Sequence, residues 1–152
     1  MKRCASVTTT LLLGLAFSSA AMAVTTEDAI KYRKSVMAAQ QWHMLAMGAM
    51  VKGDTPYDKA DFERRAESVA HLNKMFMEGF TVTGADKGES RAKPEVWATM
   101  EKFKGGAEKL GVESAKLVQA AQSGDMKAIK TQYGDVQGVC KGCHDSFQRK
   151  ER

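Results

Sequence analysis

Cys140-Lys141-Gly142-Cys143-His144 places two thiols and an imidazole at positions i, i+3 and i+4, which share one face of a helix. The C-x-x-C-H pentapeptide is a haem-attachment signature: two sulfurs bond the porphyrin's vinyl groups, and the histidine reaches the iron. The segment that carries it must therefore be helical and must face a cavity. Two other readings of paired cysteines compete. A redox C-x-x-C needs a βαβ context, and nothing in this chain alternates like a strand. A structural zinc site needs a second pair of ligands, and the hundred residues before Cys140 contain no other cysteine. One covalent haem c, with Cys140 and Cys143 as thioether anchors and His144 as proximal iron ligand, is the expected cofactor.

Residues 1–23 read as a signal peptide: Lys2 and Arg3 form a basic start, Leu11 to Phe17 an apolar stretch, and Ala21-Met22-Ala23 a cleavage site. The stretch is too short to span a bilayer and polar sequence follows it, so no stable membrane association is expected. Cleavage removes Cys4, leaving residues 24–152 as one domain in which both remaining cysteines are used by haem. The expected location is the periplasm. The chain carries a formal net charge of +5, without a basic run interleaved with aromatics, and this excludes a nucleic-acid partner.

Four segments repeat apolar residues every three or four positions, which predicts an all-α chain. The first runs from Thr26 to Lys52-Gly53, with Ile30, Arg33, Met37, Gln41, Met44, Met47 and Val51 as its inward stripe. Asp58, with Asp61 three residues on, caps a second helix that carries Phe62, Ala66, Val69, Leu72 and Phe76 and stops at Gly79. A loop from Thr81 to Ala92 follows. Pro94 opens a third helix through Trp97, Phe103, Leu110, Ser114 and Leu117 to Ser123-Gly124, weakened by Gly105, Gly106 and Gly111. Asp125 caps the fourth, which ends in the cysteine motif. Short connections between long helices predict an antiparallel up-and-down four-helix bundle with haem near its C-terminus.

The residues Glu27 to Arg33, Lys52-Gly53 with Pro56-Tyr57-Asp58, Lys93 to Trp97, and Tyr133 to Val136 ahead of the haem motif resemble cytochrome c′ and its low-spin relatives, the class II c-type cytochromes. The resemblance covers essentially all of residues 24–152. It implies a left-handed bundle, a homodimer and a propionate contact for Arg33; the first two helices are the expected interface, because the haem helix must keep its own face inward. It also places Met37, four residues after Arg33, on the distal side of the iron, where low-spin members have a methionine ligand. His144/Met37 ligation would make a coordinatively saturated electron carrier, served by redox partner proteins of unknown identity. The alternative is a five-coordinate haem that binds NO or CO. An enzyme is not expected, because no distal His and Arg pair accompanies Met37. His43 and His71 read as packing or surface residues. Gln148 is a departure: the family has a basic residue four positions after the proximal histidine, and here Arg149 stands one place later.

Overall fold

The computed structural model describes residues 24–150. The signal-peptide reading falls on 1–23 and lies outside the described residues. Four long helices, α1 (Thr26–Lys52), α2 (Lys59–Met75), α5 (Met100–Ser123) and α6 (Met126–Phe147), form an antiparallel up-and-down bundle in which each packs on the next and α6 returns to α1. Two single-turn helices, α3 (Glu78–Thr81) and α4 (Glu95–Ala98), flank the long loop.

Local chemistry sets the ends of the long helices. Thr25 and Asp28 exchange side-chain and backbone bonds in a capping box at the start of α1. Asp58 accepts from Asp61 N, and Asp125 accepts from Lys127 N and Ala128 N. Gly53 and Gly124 close α1 and α5 with positive φ of 85° and 70°, a conformation that a Cβ makes costly.

Two expected boundaries shift. The second helix stops at Met75 rather than Gly79, and the chain re-enters as α3 because Gly79 lies against α1: a Cβ there would sit 2.8 Å from Arg33 Cβ and 2.9 Å from Ala29 O. The third helix is broken at Thr99, whose φ of −129° and ψ of 49° leave the helical region while its Oγ1 bonds Glu95 O at 2.7 Å. The break lets Trp97 turn back over the loop and donate from Nε1 to Phe80 O. Gly105, Gly106 and Gly111 do not interrupt α5.

The interior divides into two apolar clusters. One, around Met47, Phe62, Leu117, Ile129 and Val136, lies between the four long helices. Full burial of each of its large side chains contributes about 1.5–3 kcal/mol. The other is aromatic: Phe103 meets Phe76, Phe80 and Phe147 at centroid distances of 6.2, 4.8 and 5.1 Å, with Val36 and Val96 beside them. Cys140 packs against the first cluster and Cys143 against the second. The cysteine motif thus stands where the two clusters meet.

Candidate haem site

A cavity of about 810 Å³ opens at that junction, a size within the range of about 300–1,000 Å³ usual for cofactor pockets. Cys140, Cys143 and His144 of α6 form one wall, and Arg33, Met37, Gln40, Gln41 and Met44 of α1 form another. Phe76, Phe80 and Phe103 close it with apolar surface. The donor set fits haem c: two thiols and one imidazole on a single helix turn, an aromatic slot for a flat macrocycle, and a cationic rim of Arg33, Lys34 and Arg91. No group of three or more His, Cys, Asp or Glu among the described residues would hold a bare metal ion.

Burial raises the Cys140 thiol, and burial followed by the neighbouring Cys140 raises that of Cys143. Both stay protonated at neutral pH, the opposite of the lowered thiol that a redox C-x-x-C requires. Desolvation, reinforced by Arg91 and opposed by Asp145, lowers the pKa of His144 and favours the neutral imidazole that can bind a metal.

Arg33 is 4 % exposed. Its Nη1 donates to Gly79 O at 3.0 Å and Ala85 O at 2.9 Å, and its Nη2 donates to Ser90 Oγ at 2.9 Å. The guanidinium also lies 4.8 Å from the Phe80 ring centroid and 5.4 Å from that of Trp97. It therefore ties the 79–90 segment to α1 as well as facing the cavity.

The stripe on α1 is split between two adjacent faces. Ile30, Arg33, Val36, Gln40 and Met47 are the buried positions, whereas Met37 and Met44 are half-buried and Gln41 is exposed along the cavity edge. Gln40, not Gln41, points inward. His43 and His71 stay out of the cavity wall, with His71 exposed and His43 beside Arg65 and Arg64 of α2. Arg149 turns to the loop, donating from Nη2 to Ser90 O at 2.6 Å, so Gln148 borders the cavity where the resemblance implies a basic side chain. Sequence periodicity did not reveal the buried chain of polar residues Gln40, Asn73 and Ser114, which spans three helices. Asn73 offered no signal in its own segment.

Bundle and site define a helical protein that carries haem c on the last turns of its final helix. The cytochrome c′ family model matches residues 28–148, and the chain belongs to the cytochrome c′ family. It is 37% identical to a cytochrome c′ of Rubrivivax gelatinosus over 124 residues, 81% of this chain and 95% of the relative. A cytochrome c prime structure from Shewanella frigidimarina superposes with a TM-score of 0.79 at 36% identity, covering 83% of this chain and 98% of that one. A nitric oxide complex of a variant of cytochrome c prime from Alcaligenes xylosoxidans gives a TM-score of 0.78 at 32% identity, covering 84% of this chain and 98% of that one. A second variant of the Alcaligenes protein has carbon monoxide bound. The cofactor is one covalently bound haem c.

These relatives overturn the low-spin His144/Met37 electron carrier. A bound diatomic needs the coordination position that a Met37 sulfur would fill, and Met37 here packs against the aromatic cluster as one more apolar side chain.

Proposed function

We propose that the chain is a periplasmic haem c protein with a five-coordinate iron that binds NO and CO, acting as a binder rather than an enzyme. The observation that carries this reading is membership of a family whose solved relatives include complexes with nitric oxide and carbon monoxide, with Met37 and Met44 of α1 on the cavity wall facing the cysteine motif. Haem c would supply an iron centre able to take up a diatomic ligand. Cys140 and Cys143 would hold it by thioether bonds, and His144 would supply a nitrogen ligand to the iron. Arg33 spends three of its five N–H donors on Gly79, Ala85 and Ser90, leaving two for a propionate carboxylate. Met37, Phe76 and Phe80 give the cavity apolar surface. Among the described residues no helix is long and apolar enough to cross a membrane, which accords with an exported protein that does not span the bilayer.

Absorption spectra test the assignment. Oxidised and reduced protein should show high-spin haem, and the reduced form should bind CO and NO. Met37→Leu, a volume-conserving swap costing under about 1.5 kcal/mol, should leave the spin state unchanged. Low-spin wild-type spectra that turn high-spin in this variant would reinstate the sulfur ligand and refute the proposal.

The same reading includes a homodimer. Trp42 and Leu45, one turn apart on α1, are 69% and 65% exposed, an apolar pair suited to covering by a second copy. Sedimentation at micromolar concentration should give a dimer that Trp42→Glu converts to monomer. Monomeric wild-type protein would exclude it.

A further inference from the structure

Gln40 is 9% exposed, lies three residues after Met37 on α1, and borders the haem cavity. Its Nε2 donates to Asn73 Oδ1 of α2, Asn73 Nδ2 donates to Ser114 Oγ of α5, and Ser114 Oγ donates to Leu110 O at 2.7 Å. Asn73 and Ser114 are 7% and 0% exposed, so the chain of bonds is sealed from solvent behind Gln40.

A backbone carbonyl can only accept, and this fixes the direction of every bond in the series. Ser114 must spend its hydroxyl hydrogen on Leu110 O, so its oxygen accepts from the Asn73 amide nitrogen. The Asn73 oxygen then faces Gln40 and can only accept, which commits Gln40 Nε2 to it. Gln40 Oε1 is left over. It bonds to no described residue, and it is not among the sealed partnerless atoms, which are His43 Nδ1, Tyr57 OH and Arg65 Nη1. Gln40 itself borders the haem cavity.

We propose that Gln40 is a specificity-determining residue of the cavity, presenting a fixed hydrogen-bond acceptor that favours a small ligand carrying an O–H or N–H, water first of all, over a diatomic that has no hydrogen to give. Asn73 and Ser114 are positioning residues that keep the oxygen, rather than the NH₂, turned to the cavity. The inference rests on the gas-binding reading of the same site. It deepens that reading by making the wall beside Met37 polar at one point and by giving CO a resident water to displace.

Infrared spectroscopy of the reduced, haem-loaded protein under CO provides the test, because a lone pair near the bound molecule raises the C–O stretching frequency and an N–H donor lowers it. Gln40→Met should lower the frequency from its wild-type value and tighten CO binding by up to about tenfold, the worth of one hydrogen bond. Ser114→Ala should free the amides to flip and add a second, lower-frequency band, and Ser114→Thr should restore the single band. The double variant Gln40→Met/Asn73→Leu removes both amides without orphaning either and should match Gln40→Met in frequency. CO binding with a frequency indifferent to Gln40→Met and to the double variant would overturn this inference alone. Failure of the wild-type protein to bind CO would overturn both it and the gas-binding reading.

Discussion

Replacing Cys140 and Cys143 together by alanine is expected to abolish covalent haem entirely: the mature chain should run at its bare polypeptide mass, and any haem it holds should leave in acid acetone. The two thiols are the only described cysteines, so no other thiol among the described residues can substitute. Both lie within α6, and alanine is the best helix former, so the helix itself should persist. The cost to the apo-bundle is small for a different reason. Each substitution removes one sulfur from the edge of an apolar cluster, worth on the order of 1 kcal/mol, and neither leaves a buried polar partner unsatisfied. Cys143→Ala alone should keep one thioether and remain resistant to extraction. A double variant that retained acid-resistant haem, measured by mass and by the reduced pyridine complex, would show that the attachment runs through another residue.

That the single motif foretold so much has a physical basis. C-x-x-C-H makes sense only on a helix facing a cavity, and the apolar periodicity of the other segments leaves a bundle as the way to build one. Capping side chains at Thr25, Asp58 and Asp125 made the starts of three long helices legible. The breaks at Met75 and Thr99 were not, because they answer to tertiary demands: Gly79 approaches the α1 backbone closely, and Trp97 reaches back to Phe80 O. Similarly, Met37 looks identical in sequence whether its sulfur binds iron or fills space. Periodicity places a methionine on the cavity wall, and only the relatives with bound NO and CO distinguish the two roles. Gln40 and Gln41 illustrate the limit of a stripe drawn by spacing alone. They differ by 100° around the helix, and the polar partner that draws Gln40 inward is Asn73, on another helix.

Arg33→Leu should lower stability by about 3 kcal/mol while leaving the cysteine motif intact. Two buried carbonyls, Gly79 O and Ala85 O, lose their Arg33 donor, and an unsatisfied buried acceptor costs about 1–3 kcal/mol. The stacking of the guanidinium on Phe80 and Trp97, worth about 0.5–2 kcal/mol, disappears as well. Against these losses stands relief from burying a cation, whose pKa is already pulled down by desolvation; this offset keeps the total below the simple sum. For a chain of this size the midpoint of thermal unfolding should fall by roughly 10 °C. Arg33→Lys should recover only part of it, since one ammonium cannot reproduce the planar fork that spans Gly79, Ala85 and Ser90. Damage should concentrate in the 79–90 segment, where amide hydrogen exchange should quicken while the Met47, Phe62 and Leu117 cluster stays protected. Covalent haem should survive, because the α6 motif is untouched. A melting midpoint within about 2 °C of wild type, well under the shift expected from even one lost buried bond, would mean that the loop holds its place without Arg33 and that the guanidinium serves the cofactor alone.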